Sequence, residues 1–514
     1  MIIMKTQNLI LIMGSLAGLI LTSSIEAQET GKKGSSAVSY KMTTPIPEGI
    51  KIPDQVESRL GTLKFFDGFP DDATVEKLYD NLDFQRAVQA YLLGLPVVGM
   101  NALGKGLTGY APANITILTF EDQMDSRTLW LTSNCNTPYT FVWLDLHNGP
   151  VVAEVPPKVL GMFNDHWSLY IEDVGMLGPD KGQGGKYLVL PPGYDGEVPE
   201  GYYVVKSPTF ECMFAYRLFD VNGDFKPAIE SLKKYARVYL LSQRLDPQAN
   251  DFVNVSGREF STLAPSDYNF WEYLHEVVQG EPTESFDRVS LGYFASVGIE
   301  KGKPFNPDDR MKKILADAAI VGDATARSIA YRIRQKEDYF YENSAWRNLF
   351  LGGTTFETTP GVLNLDGSIY LYYIGIGLSP AEDLKIIGKG SQYAVAFVDA
   401  AGNPMDGSKN YTLHLPPHIP VNNFWSVILY DYQTRSQLQT DQKFPMVSSQ
   451  NKELIVNPDS SVDVYFGPEA PEGKANNWIQ TIPGKGWFAM LRLYGPLEPW
   501  FDKTWQPGEI ELVK

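Results

Sequence analysis

The chain has 514 residues, 43% of them hydrophobic and 20% charged, with 44 Lys and Arg against 61 Asp and Glu for a net charge of −17. A single core stops growing at roughly 250–300 residues, so this length implies at least two domains. The negative balance disfavours nucleic acid as an electrostatic partner, and it fits binding of a divalent cation such as calcium as a cofactor.

Aromatic content of 12%, with 35 Pro and 45 Gly, suits short strands joined by many turns. The expected fold class is therefore mainly β with α segments: two antiparallel β-sandwich or jelly-roll-like domains with a helical middle section.

At the N-terminus, Met1 to Lys5 supplies a basic region, Leu9 to Leu21 an apolar core, and Ile25-Glu26-Ala27 a cleavage site ending in a small residue. This reads as a signal peptide over 1–27, implying a periplasmic or secreted protein with no membrane span after cleavage. Residues 28–52 form a flexible lead-in, and 53–224 an N-terminal β-rich domain with leading helices. Val75, Leu78, Leu82, Val88, Leu92 and Leu95 recur at helical spacing after Asp71 and Asp72, with the stop expected near Pro96.

From Ile115 the period is two: ITILTF, TLWLT, YTFVWLDL, PVVAEV and GMFNDHWSLYIEDVG read as strands of an antiparallel meander or sandwich, followed by YLVLPPGY and YYVVKS. A helical middle section covers 225–350. Asn306-Pro307 combines a cap with a proline at the first helical position, and Met311, Ile314, Leu315 and Ala318 form the apolar stripe. From 351 to 514 a jelly-roll-like β domain follows, built from YLYYIGIGL, YAVAFVDA, YTLHLP, FWSVILYD, VDVYFG and WFAMLRLYG.

Cys135 and Cys212 are the only cysteines. A disulfide and two buried thiols are equally compatible with the sequence, and a nucleophilic Cys135 is a weaker third reading. His147, in Asp145-Leu146-His147-Asn148-Gly149, reads as a strand end whose Asp caps a turn. No GxSxG elbow, HExxH or phosphate-binding loop occurs in the sequence.

Several ordered segments carry a resemblance. FPDDATVEKLYDNLDFQRAVQAYL, NTPYTFVWLDLHNGPVVAEVP, GKYLVLPPGYDGEVPEGYYVVKSPT and FASVGIEKGKPFNPDDRM resemble the domain-of-unknown-function family numbered 1254. YTLHLPPHIPVNNFWSVILYDYQTR, NNWIQTIPGKGWFAMLRLYGP and WQPGEIELV resemble its companion, numbered 1214. The pair implies an often exported bacterial arrangement of two β-rich domains, with no agreed catalytic residues to carry over. The family's N-x-D-T-x-Y pattern has Asn136 in place of its aspartate, and Asn136 could not replace that aspartate if it acts as an ionised acid or base in relatives. A pattern like N-R-Y-S is replaced by Lys443-Phe444-Pro445-Met446, which removes a basic contact.

Two functional readings follow. In the first, Asp165, His166 and Asp173 supply a carboxylate–imidazole cleft beside Asn136 and Tyr139 for a cation-assisted hydrolase. Adjacent residues on a strand face opposite ways, so Asp165 and His166 share a pocket only across a bulge. Asp165 and Asp173 have matching parity if the strand is unbroken. In the second, Trp425, Tyr430, Trp478, Arg492 and Tyr494 form a sheet-borne surface of a cell-envelope module for a glycan or small molecule, with Arg492 opposite Leu491 and Leu493. Hydrogen-bonded structural use of the first set and an ordinary aromatic core for the second are the bland alternatives. A homo-oligomer is compatible with both.

Overall fold

A computed structural model describes residues 41–110, 112–221 and 223–513. The signal segment and most of the lead-in therefore lie outside the described residues. The described residues divide into two compact units, one up to Thr74 and the other from Val75 onwards. In the first, strands Gln55–Ser58, Gly61–Phe66 and Phe69–Pro70 form a small antiparallel sheet. Its tight turn places Asp67 and Gly68 at positive φ, as a two-residue hairpin requires.

The second unit is mixed α and β with mostly antiparallel sheets, as expected from the composition. Its first half is a sandwich. Six strands run in the order Asp251–Asn254, Thr116–Phe120, Tyr139–Asp145, Glu211–Arg217, Leu160–Asp165 and Tyr170–Gly175. Four more, Tyr203–Lys206, Gly185–Leu190, Val151–Val155 and Arg237–Leu240, cover one face. Alternation along the central strands decides what each face carries. Val142, Leu144, Phe214 and Tyr216 pack against the second sheet, while Phe141, Trp143, Met213 and Ala215 face the helix Asp72–Thr108, α1. The strands at 237–240 and 251–254 return to this sandwich, so its pairing extends beyond residue 224. The pairs Gly185–Leu190 with Tyr203–Lys206 and Thr116–Phe120 with Asp251–Asn254 are parallel, which the meander reading did not anticipate.

Helix α1 spans Asp72–Thr108 without stopping at Pro96. Proline removes one backbone donor and crowds the preceding turn. The helix is held through it by burial on several sides, with Ala90, Val97, Val98 and Leu103 fully enclosed. By length and composition α1 is apolar enough to cross a membrane, and 78% of that window is buried inside the protein. The helices that follow are α2 (Lys226–Tyr235), α3 (Asn269–Gly280), α4 (Arg288–Ser296) and α5 (Asp309–Tyr331). Helix α5 is capped by Asp308, which accepts from the Met311 amide, two residues after the cap expected at Asn306. Ile314, Leu315 and Ala318 are buried as the stripe predicts.

YLYYIGIGL departs from the sequence reading. Its first half belongs to helix α6, Leu365–Ile374, capped by Asn364 through the Gly367 amide. The run is buried on every side, so it carries neither a helical nor a strand period. The last sandwich pairs a sheet ordered Trp346–Asn348, Ser391–Ala396, Gly486–Pro496, Val421–Asp431 and Met446–Ser448 with one ordered Trp478–Gln480, Val462–Gly467, Tyr411–Leu415 and Ile510–Leu512. A short helix, α7, spans Glu498–Phe501.

Candidate functional site

The two sandwiches meet over one loop. On the C-terminal sheet, Trp425, Val427, Leu491 and Leu493 share one face, while Ser426, Tyr430, Arg492 and Tyr494 share the other with Tyr393. The second face lies against residues 132–136 of the first sandwich. Tyr430 Oη donates to the Ser133 carbonyl at 2.8 Å, and Arg492 Nη2 donates to the Thr132 carbonyl. Asn136 Nδ2 donates to Ser448 Oγ at 3.2 Å and Gln450 Oε1 at 3.0 Å. The loop itself is shaped by Asn134, whose Oδ1 accepts from the amides of Asn136 and Thr137 while its Nδ2 donates to Tyr139 Oη.

Beside this loop lies a cavity of about 110 Å³. A water takes roughly 10–15 Å³ on this measure, so the space admits several waters or one small organic molecule. The first sandwich supplies Tyr139, Phe141, Met162 and Arg217; the second half supplies Glu382, Tyr393 and Arg492. Strand register explains the first group, since Arg217 lies opposite Tyr139 on one neighbouring strand and opposite Leu160 on the other.

The electrostatics are uneven. Arg492 is 5% exposed, donates Nε to Tyr430 Oη at 3.2 Å, and lies over the Tyr393 ring at 5.1 Å. Arg217 is 8% exposed and lies over the Tyr494 ring at 5.5 Å. Among the described residues its nearest carboxylate oxygen is Glu382 Oε1 at 3.9 Å, beyond hydrogen-bonding distance. Glu382 Oε1 accepts instead from Tyr393 Oη at 2.7 Å. Two guanidinium groups thus share a low-dielectric space with one carboxylate. Desolvation of an ion costs several kcal/mol where pairing is incomplete, so the cavity favours a further anion.

The residues expected to form a carboxylate–imidazole cleft are placed apart. Asp165 begins the turn joining Leu160–Asp165 to Tyr170–Gly175, and its Oδ1 accepts from the amides of Trp167 and Leu169. The turn breaks the strand on which its parity with Asp173 depended. Burial pushes its carboxyl up to about 6, against the two backbone hydrogen bonds that lower it. Asp173, also raised to about 6 by burial, accepts from Ser379 Oγ at 2.7 Å. His166 faces Glu281, 2.7 Å from Nδ1, in a different recess. Asn136 is locked in the loop, and only Tyr139 lines the central cavity.

The aromatic set divides as well. Tyr430, Arg492 and Tyr494 share the buried inner face with Arg492 opposite its two leucines, as the alternation predicts. Trp425 points to the other face, and Trp478 lies in the other sheet, its Nε1 donating to the Gly467 carbonyl. None of the five presents an open stacking platform, because Trp425, Tyr430, Arg492 and Tyr494 are all buried and Trp478 is half-buried.

Arg217, Glu382 and Tyr393 were not singled out in the sequence. The signal for Arg217 was present as a lone charge in the apolar strand FAYRLF. Cys135 and Cys212 are free and buried, and burial pushes the Cys135 thiol up to about 12, which suits structural thiols. Among the described residues, no group of three or more His, Cys, Asp or Glu side chains is arranged to hold a metal ion.

A β-sandwich, a helical section and a second sandwich, joined over a cavity, define the class of protein. Residues 115–240 match the family described as "Protein of unknown function (DUF1254)", and residues 390–498 match "Protein of unknown function (DUF1214)". The two matches fall in the N-terminal and C-terminal order expected from the sequence. The fold is similar to that of the VPA0106 protein from Vibrio parahaemolyticus, with a TM-score of 0.54 and 18% identity over 84% of this chain and 100% of that one. An uncharacterized protein from Burkholderia cenocepacia matches with a TM-score of 0.36 and 12% identity, over 85% and 96% of the two chains. No curated protein matches the sequence.

Proposed function

We propose that this protein binds a small organic anion, a carboxylate with an apolar or aromatic body, in the cavity between its two sandwiches. The observation that carries the reading is the burial of Arg217 and Arg492 around one space with Glu382 as the nearby carboxylate. Guanidinium groups match carboxylates through paired donors, and the surrounding Trp130, Phe141, Met162 and Leu371 suit an apolar body. This develops the small-molecule reading, with inward-facing residues in place of an exposed aromatic surface.

The cation-assisted hydrolase reading has less support, because Asp165 caps a turn, Asp173 holds Ser379, and His166 lies elsewhere. The basic and apolar residues at the N-terminus support an exported, periplasmic or secreted setting, in which such a protein would capture its ligand outside the cytoplasm.

Calorimetric titration with phenylacetate, a small probe of this class, tests the reading. Saturable binding is expected, with the neutral amide of the same acid binding at least about tenfold more weakly because the charge contact is lost. Equal binding of acid and amide, or no binding of either, contradicts it.

A further inference from the structure

We propose that a second recess, at the other end of the same sheet face, binds an organic ammonium ion through His166 Nε2 and Glu211. The alternation that places Tyr139 and Arg217 at the anion cavity places Trp143, Asp145 and Glu211 at the opposite end of those two strands. Helix α1 contributes Lys105, and α3 with the residue after it contributes Glu276 and Glu281, closing a recess of about 300 Å³.

The charge of this recess is opposite to that of the cavity. Asp145, Glu211, Glu276 and Glu281 line it. Lys105 is committed to Glu276 at 2.9 Å. His147 Nδ1 lies 2.6 Å from Asp145, and the excess of acidic groups over Lys105 repels anions and attracts cations.

An independent observation is the state of His166. It is 3% exposed and lines the recess. Glu281, itself buried, accepts from the Phe210 amide at 2.6 Å and the Glu211 amide at 3.0 Å, so it is a fixed acceptor. The imidazole Nδ1, 2.7 Å away, therefore donates to Glu281, and in the neutral ring the lone pair falls on Nε2. That Nε2 is buried and has no hydrogen-bond partner among the described residues. An ammonium N–H satisfies it.

The remaining requirements of an ammonium ion are also met. Glu211 Oε2 is oriented by the Trp143 indole, whose Nε1 donates to it at 3.0 Å. A bare metal ion instead needs several converging ligands, and no such group occurs among the described residues.

The test titrates the full chain with n-butylammonium near neutral pH, following heat and the ¹⁵N resonances of labelled histidine side chains. Saturable binding with a shift of His166 Nε2 is expected. Glu211→Gln keeps an acceptor for the indole and should weaken binding about tenfold or more. His166→Phe should abolish it, and if that variant does not fold, Glu211→Gln alone decides. Absence of saturation, unchanged affinity in Glu211→Gln, an unmoved His166 resonance, or calcium saturating the recess where n-butylammonium does not, would each overturn the proposal.

Discussion

Arg492, on the long strand Gly486–Pro496 of the C-terminal sandwich, donates through Nη2 to the backbone carbonyl of Thr132 in the N-terminal one. This contact spans most of the chain and ties the wall of the anion cavity to the loop beside it. Thr132 is held from two further directions, by its amide on the Arg435 carbonyl at 2.8 Å and its hydroxyl on the Ile374 carbonyl at 2.9 Å. The cavity is therefore a product of long-range packing.

Tyr430→Phe removes one donor to the Ser133 carbonyl and the acceptor used by Arg492 Nε, both buried. A loss of about 1–3 kcal/mol in unfolding free energy is expected, measured by urea denaturation. A change within a few tenths of a kcal/mol would show that the junction is not held by this hydroxyl.

Arg217→Met should behave differently in the absence of ligand. Its guanidinium is buried without a close carboxylate, so a side chain of similar reach that needs no desolvation should leave stability unchanged or raise it. A drop of several kcal/mol in the same denaturation experiment would mean that the cation is already well paired.

Gly104 lies on α1 against the indole of Trp143, and a Cβ there would come within 2.6 Å of ring carbons. Alanine favours a helix over glycine by about 1 kcal/mol, yet overpacking typically costs about 1–3 kcal/mol. Gly104→Ala should be net destabilising by thermal or chemical unfolding, and should perturb the indole fluorescence of Trp143.

Asp165 and Asp173 share a pH signature. Burial raises both carboxyls to about 6, whereas an unfolded aspartate titrates near 3.9. Between about pH 4 and 6 the native protein binds more protons than the unfolded chain, so stability falls as pH rises through that window. Asp165→Asn and Asp173→Asn should each flatten this slope, by an amount on the order of 1–3 kcal/mol. Asp165→Asn keeps the turn cap, while Asp165→Ala flattens the slope equally and should lie about 1–2 kcal/mol below Asp165→Asn at every pH. Urea denaturation across pH distinguishes the three variants.

Much of the sandwich architecture was legible because short runs of branched and aromatic residues bounded by Gly, Pro, Asn and Asp mark strands even where both faces are buried, and Arg492 was read correctly opposite Leu491 and Leu493 because successive strand residues face opposite ways. The reading failed where a fully buried run of the same composition folds as a helix. Tyr370 to Ile374 are enclosed on all sides, and their aromatic and branched residues suggested a strand where a helix forms. Pro96 was read as a stop because local propensity disfavours it, but the surrounding core sustains α1. The cavity was beyond reach for another reason. Arg217 and Glu382 are brought together only by the packing of the two sandwiches, and no local spacing records that meeting. Likewise, His166 was visible as a polar residue near a strand end, but its partner Glu281 lies at the C-terminus of α3.

The most direct test of the account is the affinity of phenylacetate for the unmodified protein and for Arg217→Met, measured by calorimetry on both folded chains. The account predicts saturable binding that weakens by about tenfold or more in the variant while its unfolding free energy stays level or rises. Equal affinity in the two proteins would contradict it.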